Sequence, residues 1–195
     1  MGITIKKKLN KYRCGIRKKK RQQKEHMKIL EKLNLRFEFI SKRKDVLRIH
    51  DEVASVFSHA FVEILYDTLD EVTEEVKKSR IEQHEKVWKD SKLGLTISNQ
   101  SRYFCIWKKD IPVAFLLFKI KSRSAFISYI AVLPEYQQNG IGKLLVYALF
   151  EKFGQLEYVR LNPVPDKRVL NFWKHIGFKR LPKCDNTLIL HKKNL

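Results

Sequence analysis

The sequence predicts an α/β domain with a mixed, largely antiparallel central sheet flanked by helices, preceded by a basic tail. Three observations carry this. Three runs rich in aromatic and branched residues follow one another closely between Arg102 and Val132, the spacing of an antiparallel meander. From Gly140 onward helical and extended patterns alternate, as crossover units do. Fourteen Lys or Arg against Glu25 and Glu31 give residues 1–36 a charge of +12 of the chain's +20, and such a stretch repels itself and buries little. At 195 residues and 44% hydrophobic, the rest suffices for one domain of ordinary size. The expected division is an extension over 1–34, flexible or partly helical, and a domain over 35–195.

In chain order, Met27, Leu30 and Leu33 at spacing three allow a short helix over Gln22–Leu33. Leu35–Ile40 alternates apolar and charged side chains, the pattern of a half-buried strand. Asp45–Tyr66 has helical spacing, with Val46, Ile49, Val53, Phe57, Ala60 and Ile64 on an apolar stripe. Asp70 can cap a second helix running to about Lys89, and Gly94 marks its stop. Arg102–Lys108 and Val113–Lys121 read as a hairpin joined by residues 109–112. Both faces of Val113–Phe118 are apolar, so that strand is central. Ala125–Val132 adds a third strand after the turn at Ser122–Ser124. Gly140–Phe153 is a helix with Ile141, Leu144, Leu145, Ala148 and Leu149 on one face, and Glu157–Asn162 is a strand. Asp166 can cap a last helix that Gly177 closes, before strands at Phe178–Leu181 and Thr187–His191.

Composition excludes several classes. No run of about 18 apolar residues spans a bilayer, and no secretory signal follows the charged start. Cys14, Cys105 and Cys184 form neither a C-x-x-C pair nor an even set, which suits a reducing compartment. The six histidines are scattered singly and suggest no metal site. A soluble intracellular protein is expected, cytoplasmic or, in a eukaryote, nuclear. The clusters Lys6–Lys8 and Arg17–Arg21 suit three partners: nucleic acid by counterion release, a nuclear-import receptor, or anionic lipid. The oligomeric state is not legible.

Chemistry concentrates in the loop between Val132 and the helix at Gly140. Its two glycines stand where a helix begins, so the first-turn N–H groups and the positive end of the helix dipole form an anion seat, with Lys143 adding a formal charge. A purely steric need for glycine in a tight strand-to-helix turn is the plain alternative. Gln137–Gly142 matches the pattern R/Q-x-x-G-x-G/A after an apolar strand and a proline, and here the sequence resembles the GNAT superfamily of acetyltransferases. The resemblance runs from about Leu35 to His191 and includes Phe172-Trp173-Lys174-His175-Ile176-Gly177-Phe178.

The resemblance implies a GNAT-like fold and acetyl-CoA as acyl donor, without a metal. It implies that Ile130, Ala131 and Val132 line the pantetheine through their backbone, and that Gln137, Gln138, Asn139, Gly140, Ile141, Gly142 and Lys143 surround the pyrophosphate. It further implies direct attack of an amine on the thioester. Trp173 stands where many members have a tyrosine that protonates the departing thiolate. An indole N–H is no proton source, so the thiolate leaves unaided, Tyr129 or Cys184 substitutes, or Trp173 packs against the cofactor. For the base the candidates are Glu63, Asp67, Glu135 and the C-terminal region. The acids of Asp67–Glu75 either attract a cationic acceptor or favour a helix dipole. Acceptors in view are a protein lysine, a protein N-terminus or a polyamine. The competing reading is a catalytically weak domain that binds acyl-CoA or associates with nucleic acid.

Overall fold

Period-two alternation from Arg36 becomes strand β1 (Arg36–Ile40), and the aromatic runs become β2 (Ser101–Lys108), β3 (Ile111–Lys121) and β4 (Ser124–Val132). With β5 (Tyr158–Leu161), β6 (Lys179–Arg180) and β7 (Leu188–His191) they form one sheet in the order β1-β2-β3-β4-β5-β7-β6. All pairs are antiparallel except β4 with β5. The computed structural model describes residues 20–66, 73–90, 98–182 and 186–195. It divides into two units, Met1–Leu35 and Arg36–Leu195.

In the first unit, helix α1 covers residues 20–33. Asn34 stops it by adopting φ 50°, and the Asn34 and Leu35 N–H groups donate to the carbonyls of Glu31 and Leu30. That is the Schellman arrangement, in which asparagine serves as the left-handed residue.

In the second unit the apolar stripe from Asp45 gives two helices rather than one, α2 (Arg43–Glu52) and α3 (Ala54–Tyr66), broken at Val53. The α4 helix (Glu74–Asp90) follows. Thr73 stands at its start, the hydroxyl accepting from the Val76 N–H and the carbonyl from the Lys77 N–H; the expected cap Asp70 and stop Gly94 lie outside the described residues. The hairpin turn is also shorter than expected. Lys109 takes φ 54°, so β3 begins at Ile111, with Pro112 inside the strand next to a bulge.

Strand alternation sorts the core. Tyr103, Cys105, Phe115, Leu117 and Ala131 turn to the face covered by α2, α3 and α4, where they join Ile49, Val53 and Trp88. Phe104 and Phe118 occupy the opposite face with Phe153, which ends helix α5 (Ile141–Lys152). Each of these rings removes 150–250 Å² from water at about 25 cal/mol per Å², several kcal/mol apiece.

A polar lock holds α4 within the first layer. His50, fully buried, stacks on Trp88 at 4.5 Å. Its Nε2 donates to the Trp88 carbonyl at 2.9 Å, so Nδ1 accepts from the Tyr103 hydroxyl at 2.8 Å, while Trp88 Nε1 donates to the His50 carbonyl. A carbonyl can only accept, which fixes the tautomer.

Candidate active site

The site begins at an irregularity in β4. Phe118 lies opposite Ile127 but Leu117 lies opposite Tyr129, so Ser128 is an extra residue, a β-bulge. The parallel ladder to β5 stops immediately before it, at Ile127 opposite Leu161. Asn162-Pro163-Val164-Pro165 follows β5, and two prolines in three residues cannot extend a ladder. Tyr129–Val132 therefore runs on without β5 alongside.

Which backbone groups that exposes follows from the antiparallel rule. The Leu133 N–H donates to the Val113 carbonyl at 2.9 Å. Residues alternate in facing the partner strand, so Ala131 and Tyr129 spend their backbone groups on β3, and Ile130 and Val132 turn theirs to the open side. Ala131, expected to present its backbone there with its two neighbours, presents it to β3 instead. The Gln137 side-chain amide donates to the Val132 carbonyl at 3.1 Å, closing the loop onto this edge.

Helix α5 opens beside that edge. Gly140 takes φ 80° as its N-cap and offers no side-chain cap. The first intrahelical bond runs from the Leu144 N–H to the Gly140 carbonyl, so the Ile141 and Gly142 N–H groups have no acceptor within the helix. They point outward at the positive end of its dipole. Gln138 also has positive φ, 58°, and Asn139 donates to the Gln137 and Tyr136 carbonyls, which commits its side chain to the turn. Lys143 Nζ stands 5.5 Å from the Tyr147 ring centroid.

The two glycines serve different needs. Gly140 supplies the left-handed backbone. Gly142 supplies room: a Cβ there would stand 2.9 Å from the Phe172 ring of helix α6 (Lys167–His175). Asp166 caps α6 by accepting from the Arg168 and Val169 N–H groups, and Gly177 closes it at φ 99° with a Schellman pair of bonds from Gly177 and Phe178.

Trp173 is 3% exposed and set edge-on to Phe172 and Phe178, at 4.9 and 5.0 Å. Tyr129 is half-buried on the α3 side, its ring against Phe57, Phe61 and Trp88. Among the bonds of the described residues none involves its hydroxyl. Glu63 falls on α3 with its side chain outside the described part, as are Asp67 and Cys184 entirely. Glu135 lies in the 3-10 turn Pro134–Tyr136. Of the acids at the start of α4, Glu74 pairs with Lys77 at 2.9 Å.

Sequence reasoning missed the bulge and the Gly142–Phe172 contact. A bulge at Ser128 has no composition signal, since neither Gly nor Pro marks it. Among the described residues no three His, Cys, Asp or Glu are grouped to hold a metal, and no helix is long and apolar enough to cross a membrane.

The order and pairing of these elements form a fold shared with solved acetyltransferase structures. A Desulfovibrio desulfuricans protein described as a GNAT-family acetyltransferase superposes with TM-score 0.53 at 13% identity, over 80% of this chain and 98% of that one. The PaiA N-acetyltransferase of Thermoplasma acidophilum, solved with coenzyme A, gives TM-score 0.52 at 18% identity, over 79% and 96%. An acetyltransferase from Thermus thermophilus gives 0.50 at 10% identity, over 80% and 96%. At these identities the likeness speaks for the fold. Among curated proteins no sequence matches the chain. The model of the acetyltransferase (GNAT) family matches residues 64–178, more than half of the chain, and the chain belongs to that family of acyltransferases.

Proposed function

We propose that the chain transfers an acetyl group from acetyl-CoA directly to an amine. One observation carries the reading: the Ile130 and Val132 edge of β4, which β5 does not accompany, leads to the open N-terminus of α5. A pantetheine arm carries amide groups that pair with a strand edge, and a pyrophosphate needs N–H donors at the end of that track. The Ile130 and Val132 backbone groups bind the arm. The Gln137–Lys143 loop seats the pyrophosphate, with the Ile141 and Gly142 N–H groups and the Lys143 charge toward it. PaiA from Thermoplasma acidophilum, of the same fold, was solved with coenzyme A, which supports the fit.

Orientation of the two substrates and backbone donors at the developing oxyanion supply most of the rate. Tyr129 is the residue we assign to donating a proton to the thiolate, because its phenol stands on the strand immediately after the bulge. The Trp173 indole packs. The acceptor is an amine on a protein lysine, a protein N-terminus or a polyamine.

Calorimetry with acetyl-CoA and desulfo-CoA tests the site. Micromolar binding by the wild-type chain, abolished in Gly140→Glu while the melting transition persists, is expected, together with thiol release when an amine panel is added. A folded wild-type chain that binds neither would overturn the reading. The second reading, binding without efficient transfer, is favoured by the burial of Trp173 at the position of the usual phenol, and corresponds to binding with no thiol release on any amine.

A further inference from the structure

Among the described residues, helices α2, α3 and α4 pack on one face of the sheet against β2, β3, Ile40 of β1 and the part of β4 beyond the bulge. The same face continues over the beginning of β4, then β5, β7 and β6. The Gly142–Phe172 contact puts α6 against α5 on the other side. Register decides what this part of the face carries. Lys119 lies opposite Phe126, Phe126 opposite Arg160, and Arg160 opposite Ile189, which faces Lys179. One rung away, Lys121 lies opposite Ser124, Ser124 opposite Tyr158, and Tyr158 opposite His191.

Cross-strand partners share a face, so these residues form one surface. Phe126, Tyr158 and His191 are half-buried on it, and Lys121, Arg160 and Lys179 are exposed. The Arg160 guanidinium stands 5.9 Å from the Phe126 ring centroid, and the Tyr158 and His191 rings are 5.9 Å apart. No Asp or Glu occupies any strand position of this surface.

We infer that this half-sheet is a binding platform for single-stranded RNA. Three flat rings step across β4, β5 and β7, with Phe126 and Tyr158 at diagonal positions of neighbouring strands, and unstacked bases find ring faces there. Lys119, Lys121, Arg160 and Lys179 surround the rings and neutralise backbone phosphates. Ser124 lies opposite Tyr158; its hydroxyl donates to the Lys121 carbonyl and can still accept from a ribose 2′-OH, which deoxyribose lacks, as can the Tyr158 hydroxyl. A second copy of this chain fits poorly, because two-fold pairing would press one basic face onto the same basic face. The platform is independent of the acyl-transfer site, and its residues have no part in that reading.

The test uses the full chain and a fluorescent 12-nucleotide RNA of mixed sequence, read by anisotropy. Phe126→Leu and Tyr158→Leu leave every charge in place, the basic extension included. Each is expected to weaken binding about tenfold while acetyl-CoA binding by calorimetry is unchanged, and Arg160→Ser to weaken it and flatten the salt dependence. Unchanged RNA affinity in both ring variants would overturn the proposal. So would equal affinity for an abasic chain of the same length or for DNA of the same sequence, or a wild-type dimer in sedimentation that Phe126→Leu dissociates. If a ring variant loses acetyl-CoA binding through misfolding, photocrosslinking of 4-thiouridine RNA to the wild-type chain decides: adducts on β4 and β5 support the platform, and adducts confined to residues 1–36 overturn it.

Discussion

The Phe172 ring fills the space that a side chain on Gly142 would need, with its Cζ 2.9 Å from the position of a Cβ. This close approach fixes α6 against the first turn of α5 and thereby holds the helix start that faces the β4 edge. Gly142→Ala is expected to cost about 1–3 kcal/mol as an overpacked contact. Phe172→Leu in the same chain should restore most of that loss, because the obstacle is a ring and not backbone. Gly140→Ala costs about 1–2 kcal/mol through its left-handed backbone, and Phe172→Leu should do nothing for it. Denaturant melts of the four variants check both statements; equal rescue of the two alanines would contradict the distinction.

The sequence made the order of elements legible because alternation, helical spacing and punctuation agree from Arg36 to His191. Asp166 caps and Gly177 closes α6 as their residue types require, and the apolar run Val113–Phe118 lies between β2 and β4. The helical stripe from Asp45 did not reveal the break at Val53, since Val46, Ile49, Val53 and Val56 stay on one face through it. The candidate site was half legible. Its loop announces itself by Gly140 and Gly142, yet the pairing of glycine with ring is a long-range contact that local pattern does not encode. Nor does composition reveal which carbonyls face outward on β4, a consequence of register and of one extra residue.

The Tyr103–His50 bond gives a prediction with a pH signature. Tyr103→Phe leaves the buried Nδ1 of His50 without its donor, at about 1–3 kcal/mol. Burial pushes the Tyr103 phenol well above its ordinary range, with the charges of Cys105, Asp51 and Tyr129 acting in the same direction. A folded-state pKa that is raised means the native protein holds the proton longer, so this stability is full below about pH 10 and is lost as pH rises further. Thermal melts from pH 8 upward should show a decline beginning at about that pH in the wild type, and Tyr103→Phe should remove that component.

Cys105 lies fully buried in the same layer. Burial pushes its thiol well above the usual range, the carboxylates of Glu38 and Glu52 add to this, and Arg48 and Arg36 oppose it. The thiolate is the reactive species. Iodoacetamide at neutral pH should therefore leave Cys105 unmodified in the native chain and modify it in denaturant, read by peptide mass mapping. Native modification at a rate near that of a free thiol would mean that the β2 layer opens far more readily than its packing suggests.

Trp173 and Tyr129 separate the two accounts of how the thiolate leaves. The indole is 3% exposed between Phe172 and Phe178, and its N–H does not supply a proton at working pH. Trp173→Phe should hence keep kcat within about threefold while lowering stability by roughly 1–3 kcal/mol, as a loss of packed volume does. Tyr129→Phe keeps the ring among Phe57, Phe61 and Trp88 and deletes only the hydroxyl. If that phenol donates the proton, kcat should fall about 10²-fold or more with little change in the KM for acetyl-CoA. Steady-state thiol release checks both. A large kcat loss in Trp173→Phe with none in Tyr129→Phe would transfer the role to the α6 side of the site and leave Tyr129 as a packing residue of the α3 layer.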